Sequence, residues 1–201
     1  MFKTIKENVS AEIVEKKSKF IANIFYVESK EESEKIIKDI NKKYHDARHN
    51  CYAYRITEEN EVIEKSSDDG EPSGTAGAPM LNILSKNNLS NILVIVTRYF
   101  GGILLGTGGL VRAYSAACNK ALDMAEIIDM DIYELYEIEM SYEDLKKFKY
   151  FAQNNNITIK NEEYSDVIKI QIAIENEKIL DNLRQKEINV KRVRFIKKIY
   201  A

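Results

Sequence analysis

Apolar and polar positions along the first part of the chain predict an alternation of strands and helices. Alternating patterns indicate strands, and apolar residues spaced three and four apart indicate helices. The predicted strands are 9–14, 19–27, 50–56 and 91–99, and the predicted helices begin at Ser29, follow Pro79 and cover 110–124. The run 92–96 is apolar on both faces, which favours a central, covered strand. Residues 66–74 are predicted to form a loop because they combine Asp, Gly, Pro and Ser.

The pattern changes after residue 127, where glycine and proline no longer occur. The predicted elements there are strand 129–140, helix 142–154, strands 157–164 and 167–175, helix 177–186 and strand 190–200. Ser141 and Asn176 are placed as helix N-caps. This β-α-β-β-α-β order is the ferredoxin-like split unit. We therefore predict an α+β protein with domains at 1–127 and 128–201.

The charge distribution supports this topology for the second domain. Residues 126–145 hold eight acidic residues and no basic one, and residues 191–201 hold five basic residues and no acidic one. The first and last strands of a ferredoxin-like sheet are neighbours, so we expect opposite charges to face each other there. The expected partners are Asp131, Glu137 and Glu139 on one strand and Arg192, Arg194 and Lys198 on the other. A surface that faces RNA or the ribosome is the alternative for this basic terminus.

Composition limits the class of protein. The net charge is -2 over 201 residues, so no overall positive charge indicates a nucleic-acid binder. The first residues lack the apolar segment of a signal peptide, and no apolar run reaches the length of a membrane span. Cys51 and Cys118 are the two cysteines, which disfavours a disulfide framework. We expect a cytoplasmic protein without a membrane partner.

Glycine is concentrated in one window from which acidic residues are missing. All eight glycines lie between Gly70 and Gly109. No acidic residue occurs between Glu71 and Asp123. Because the glycines alternate with large apolar residues, the window predicts folded loops in which an anion can approach the main chain.

Segment 101–109 leads from the apolar strand into a helix. Backbone N–H groups and the helix dipole at such a place favour an anion, and Arg98 and Arg112 are expected to frame the site. Known phosphate motifs do not match, since Thr107 and Val111 stand where a Walker lysine and a Rossmann glycine would be needed. The alternative is a tight turn that lets helix and sheet pack closely.

Other candidate chemistry gives weaker signals. Segment 68–71 lacks the spacing of a calcium loop, and an acidic turn usually bonds its own backbone. His45, His49 and Cys51 offer three ligands without an obvious fourth, so neither zinc nor a catalytic cysteine is expected. His49 is the better candidate for a polar contact in a binding groove.

Three sequence blocks resemble the YigZ/IMPACT family. They are HNCYAYR at 49–55, SDDGEPSGTAG at 67–77 and TRYFGGILLGTGGLVRAY at 97–114. The blocks are long and occur in the family's order. The resemblance implies that the first domain is like domain IV of elongation factor G, and that the second is like that factor's fifth domain. It also implies a role in translation, because eukaryotic members interfere with activation of a kinase of the initiation machinery, while ribosome or nucleic-acid binding has been proposed for bacterial members.

We therefore expect a non-catalytic, translation-related regulator that uses no cofactor and no metal. Its first domain would bind RNA, the ribosome or a translation-associated protein through the glycine-rich groove. The expected binding residues are His49, Arg55, Asp69, Glu71, Ser73, Thr75, Arg98, Tyr99, Gly101, Gly102, Gly106, Gly108, Gly109, Arg112 and Tyr114. The alternative is a magnesium-dependent enzyme that acts on a phosphorylated small molecule or nucleotide, with Asp69 or Glu71 as base or metal ligand.

Overall fold

The computed structural model describes residues 2–58 and 61–200. The chain divides between Asp129 and Met130 into two compact units, each built on an antiparallel sheet. We call residues 2–129 the first unit and residues 130–200 the second unit. The protein is thus α+β, as the sequence pattern predicts.

The first unit is organised around a five-stranded sheet. In chain order it contains β1 (Phe2–Ile5), β2 (Val9–Glu15), β3 (Ser18–Tyr26), α1 (Lys30–Lys43), β4 (His49–Glu58), β5 (Glu61–Ser67), α2 (Gly77–Lys86), β6 (Ile92–Tyr99), α3 (Thr107–Asp123) and β7 (Ile127–Met130), whose last residue begins the second unit. The sheet order is β2-β3-β6-β4-β5, and β1 pairs separately with β7. The apolar run therefore lies in the central strand, β6, which confirms that prediction.

Helices cover both faces of this sheet. Residues Ile36, Ile37 and Ile40 of α1 pack on one face. Helices α2 and α3 pack on the opposite face, where Met80 and Tyr114 are among the fully buried side chains. The sheet is thus enclosed between two helical layers, which explains why its central strand is apolar on both sides.

Several boundaries differ from the sequence-based prediction. Strands β1 and β5 were not predicted, because β1 is short and β5 is a mostly exposed edge strand without regular apolar alternation. The predicted strand 129–140 is interrupted, so that β7 pairs with β1 and the next strand begins at Ile132. Helix α3 begins at Thr107, earlier than predicted, because the Leu110 N–H already donates to the Gly106 carbonyl.

The second unit contains a four-stranded sheet with two helices. Its elements are β8 (Ile132–Met140), α4 (Tyr142–Asn154), β9 (Thr158–Tyr164), β10 (Ile168–Ile174), α5 (Lys178–Gln185) and β11 (Val190–Tyr200), and the sheet order is β11-β8-β10-β9. Buried residues from both helices and from β8 and β10 form its core. The predicted order of strands and helices is confirmed. Across the described part of the chain, no helix combines the length and apolarity needed to cross a membrane.

Opposite charges do face each other between β8 and β11. Arg194 Nη2 lies 3.0 Å from Glu137 Oε1, and Arg192 Nη1 lies 4.0 Å from Glu139 Oε1. The third expected partnership is wrong, because Lys198 lies opposite Glu134 and not opposite Asp131. Register shifts in β11 place it there, and such irregularities cannot be foreseen from charge spacing.

Candidate functional site

Four connecting segments meet at one end of the first unit's sheet. Strand pairing brings them together, since Glu15 pairs with Ser18, Lys19 with Tyr99, His49 with Arg98 and Tyr52 with Ser67. The segments are the β2–β3 turn at 16–17, the stretch 44–48 before β4, the β5–α2 loop at 68–76 and the β6–α3 loop at 100–106. We call this region the loop end. It contains most of the residues that the sequence singled out.

A buried ion pair occupies the centre of the loop end. Arg98 and Glu71 are 5% and 9% exposed, and Arg98 Nη1 lies 2.6 Å from Glu71 Oε1. The guanidinium also lies 5.5 Å from the ring centre of Phe20 and 5.6 Å from that of Phe100. Its Nε has no hydrogen-bond partner among the described residues. The expectation that Arg98 is available to an external anion is therefore corrected, because the Glu71 carboxylate already neutralises it.

Glu71 accepts a further hydrogen bond from α3 and lies near a histidine ring of β4. The Tyr114 hydroxyl donates to Glu71 Oε1 at 2.9 Å, and His49 Nε2 lies 3.8 Å from the same oxygen. Burial, reinforced by the neighbouring Cys51 and Glu71, raises the pKa of Tyr114 above its ordinary range, so its hydroxyl remains a donor at neutral pH. The network joins two strands, a loop and a helix through one carboxylate.

His49 is oriented by the backbone of the β5–α2 loop. Its Nδ1 lies 2.7 Å from the Asp69 carbonyl oxygen. A carbonyl oxygen only accepts, so Nδ1 carries the proton and donates. The other ring nitrogen then lies nearest Glu71. His49 therefore serves as a polar contact, although its partners belong to the protein itself.

Asp68 and Asp69 fold the β5–α2 loop. The Asp68 carboxylate accepts from the backbone N–H groups of Gly74, Ala76 and Gly77 at 2.8 to 2.9 Å. Partial burial would raise the pKa of Asp68, but these donors outweigh it and hold the pKa below its ordinary value. Asp69 Oδ2 accepts from the Asn50 N–H at 2.6 Å. The backbone donors thus occupy most of the acceptor capacity of the Asp68 carboxylate.

The remaining polar residues of this loop have local roles. The Thr75 hydroxyl donates to the Pro72 carbonyl oxygen, and Ser73 is exposed. Burial raises the pKa of the Cys51 thiol to about 12, so it is not a thiolate at neutral pH. Within the residues that the structure describes, no group of three or more His, Cys, Asp or Glu side chains is arranged to hold a metal ion.

The glycines of the β6–α3 loop permit close packing at one position and leave the main chain exposed at others. A Cβ on Gly101 would lie 2.0 Å from the Lys17 carbonyl carbon, so the loop and the β2–β3 turn approach through bare backbone. Gly102 and Gly106 have positive φ angles of 85° and 72°. Gly108 and Gly109 lie in the first turn of α3, which follows Gly106 without a side-chain cap. The structure therefore supports both interpretations of the glycines, a tight turn that permits close packing and a main chain that is exposed.

Two predicted site residues lie away from the loop end's central network. Arg55 is six positions along β4 from His49, or about 20 Å at the rise of a strand. Its guanidinium binds Glu64 Oε1 and the Leu89 carbonyl oxygen. Tyr99 follows Arg98 and therefore points to the opposite face of the sheet, where its hydroxyl donates to Asp46. Both assignments to one groove with Arg98 are corrected.

Exposed basic residues lie in the β2–β3 turn, just before β4 and near the start of α3, and the sequence analysis missed most of them. Arg112 was predicted; Lys16, Lys17 and Arg48 were not. All four are exposed, and within the described residues none of them forms an ion pair. Lys16 and Lys17 occupy left-handed positions with φ of 45° and 66°. The Glu-Lys-Lys-Ser turn between two strands was the available signal for these lysines.

Comparison with known protein families gives two matches. Residues 16–122 match the family described as the Impact N-terminal domain. Residues 138–193 match the domain of unknown function DUF1949. The two matches lie on either side of the division between the first and second units.

Individual relatives extend over most of the chain. The IMPACT family member YvyE of Bacillus subtilis is 38% identical over 86% of this chain and 79% of its own length. The IMPACT family member YigZ of Escherichia coli is 32% identical over 83% of this chain and 82% of its own length. A crystal structure described as that of a hypothetical protein covers 98% of this chain and 97% of its own, with 27% identity and a TM-score of 0.68.

Proposed function

Because the chain belongs to the IMPACT family, we propose that it is a translation-related binding protein that docks on RNA, free or within the ribosome, through the loop end of its first unit. The role in translation comes from the family resemblance. The choice of RNA as the partner comes from the charges of the loop end. The protein acts by binding, with no chemical step assigned to it.

The observation that carries the proposal is an excess of unpaired basic residues over unpaired acidic residues. Within the described residues, four exposed bases have no ion-pair partner, against the single acid Glu15 in the same region whose carboxylate has neither an ion pair nor a hydrogen bond. The Glu71 carboxylate pairs with Arg98, and the carboxylates of Asp68 and Asp69 accept hydrogen bonds from backbone N–H groups. The bases Lys16, Lys17, Arg48 and Arg112 are exposed and unpaired within the described residues. Cations in such an arrangement attract phosphates, and the attraction does not depend on base sequence.

The buried network contributes rigidity to this surface. Arg98, Glu71 and Tyr114 tie β6, the β5–α2 loop and α3 to one another. Loops that carry binding residues are most effective when a rigid scaffold positions them. We therefore assign Arg98 and Glu71 a positioning role, while the exposed bases contact the partner.

We also propose the finer fold assignments. The β-α-β-β-α-β order of the second unit, with β8 between β11 and β10, supports a ferredoxin-like domain. The assignment of the first unit to the type of domain IV in elongation factor G rests on the family resemblance. An RNA-binding sheet of the second unit is less favoured, because Arg192 and Arg194 on its surface pair with glutamates.

Salt-dependent RNA binding tests the proposal. The double variant Lys17→Ala/Arg112→Ala removes two exposed bases of the loop end, and Lys35→Ala/Lys38→Ala removes two exposed bases of α1 as a charge-matched control. Filter binding to single-stranded RNA and co-sedimentation with ribosomes are measured over a range of salt. Loss of two phosphate contacts should lower the slope of log affinity against log salt by about 1.4. The control should retain the wild-type slope.

Equal retention of wild type, the loop-end variant and the control would contradict the RNA proposal. A protein partner is then the remaining translation-associated candidate. Pull-down with and without nuclease separates the two possibilities, because capture through RNA is lost on digestion and capture through protein is not.

A further inference from the structure

A small cavity lies between the end of β2 and helix α3. Its volume is about 190 Å³. A protein cavity of about 150 Å³ accommodates benzene, so this cavity has room for one six-membered ring. It is lined by Ile13, Glu15, Lys16, Leu105, Gly109, Arg112, Ala113 and Ala116.

Part of the cavity wall is apolar because of the residues that α3 presents. Gly109, Ala113 and Ala116 lie on one helix face, and their side chains are small or absent. A Cβ on Gly109 would lie 2.9 Å from Leu105 Cβ, so glycine is required for Leu105 to pack where it does. Ile13 contributes the wall on the side of the sheet. These surfaces suit the faces of a flat ring.

Charged groups at the cavity specify the ligand further. Lys16 and Arg112 line it, and neither forms an ion pair within the described residues. Lys16 has a φ of 45°, a left-handed backbone conformation that most residues with a Cβ avoid. Glu15 also lines the cavity and is exposed. A fitting ligand therefore combines an anionic group, a flat ring and a hydrogen-bond donor.

We propose that this cavity binds one cytosine nucleotide of single-stranded RNA. The ring enters the cavity, its phosphate contacts Lys16 and Arg112, and Glu15 accepts a hydrogen bond from the exocyclic amino group. Glutamate is a suitable acceptor for the cytosine amino group, whereas uracil presents a carbonyl oxygen at that position. A single strand is required because the base must leave its stack to enter.

This inference rests on the proposed RNA binding and adds a base preference to it. Fluorescence anisotropy with short oligo(C) and oligo(U) RNA measures the preference on the full chain. One lost hydrogen bond corresponds to roughly a twofold to tenfold difference in affinity, so wild type should bind oligo(C) more tightly by that factor. Glu15→Gln should bring the two affinities together, because the amide can donate to uracil as well as accept from cytosine.

Ala116→Leu tests the cavity independently. Ala116 is exposed, so added bulk fills the cavity without disturbing the core, and the same change at exposed Asn119 of α3 is the control. Ala116→Leu should weaken oligo(C) binding severalfold and remove the base preference, whereas Asn119→Leu should leave both unchanged. Glu7→Gln, the same change as Glu15→Gln at an exposed glutamate outside the cavity, should also leave both unchanged. Thermal unfolding establishes that each variant is folded.

The possible failures are distinguishable. If wild type binds both RNAs equally, or if Ala116→Leu keeps the wild-type preference, the nucleotide site is refuted, while the salt-dependent effect of Lys17→Ala/Arg112→Ala can still support the proposed function. If wild type binds neither RNA nor ribosomes, both proposals are refuted.

Discussion

The ion pair between Arg98 and Glu71 provides the sharpest test of how the first unit is held together. Glu71→Gln keeps the shape of the side chain and one acceptor oxygen but removes its negative charge. Arg98 is 95% buried, and within the described residues Glu71, at 2.6 Å, is its one ion-pair partner. Its Nε has no hydrogen-bond partner there. Without the charge of Glu71, Arg98 becomes an uncompensated buried cation. We expect a loss of about 3–5 kcal/mol in the free energy of unfolding, the usual cost of breaking a buried pair from one side.

The double-mutant cycle with Arg98→Met isolates the interaction. Arg98→Met should also be destabilising, because it leaves Glu71 buried with the Tyr114 hydroxyl as its close donor. The double variant Glu71→Gln/Arg98→Met contains neither charge, so its cost should fall short of the summed single costs by about 2–3 kcal/mol. This coupling is the quantity that the structure predicts.

Hydrogen exchange measured by mass spectrometry on β4 and β6 peptides is the suitable assay, because the two units can unfold in separate transitions. Glu64→Gln is the control, because it removes the carboxylate partner of Arg55 at a site where Glu64 is 39% exposed. It should lower the free energy of unfolding by at most about 1 kcal/mol. Additive single costs, or a Glu71→Gln cost no larger than that of the control, would refute the reasoning.

Two further changes test the loops. Asp68→Asn should lower the free energy of unfolding by about 1–2 kcal/mol, because three backbone N–H groups lose a charged acceptor that is only partly buried. The lowered pKa of Asp68 makes this stabilisation present above the ordinary carboxyl pKa and lost as pH falls through the folded value. The difference between wild type and variant in urea unfolding should therefore shrink in acid; a constant difference would contradict the assignment. Gly101→Ala should lower the urea midpoint more than Gly108→Ala, since a Cβ on Gly101 meets the Lys17 backbone at 2.0 Å and one on Gly108 meets only the Arg112 side chain at 3.6 Å; equal shifts would exclude the steric explanation.

Much of the fold follows from local sequence features. The spacing of Ile36, Ile37 and Ile40 predicts a helix, and α1 packs through these residues. The uninterrupted apolar run at 92–96 predicts the central strand. Such features depend on neighbours a few residues apart, so no knowledge of the rest of the chain is needed. Strand β5 escaped prediction because its pairing with β4, and not its own pattern, defines it.

The candidate site depended on the tertiary structure. From the sequence, Arg98 lies inside a window without acidic residues, and nothing local indicates that Glu71 from 27 positions away will neutralise it. Likewise, Lys16 and Lys17 look like ordinary turn residues until strand pairing brings their turn against the loop before α3. The sequence alone therefore determined which segments form strands and helices, because periodicity is a local property. Which charges are available to a partner was decided by folding, because an ion pair depends on distance in space and not on separation along the chain.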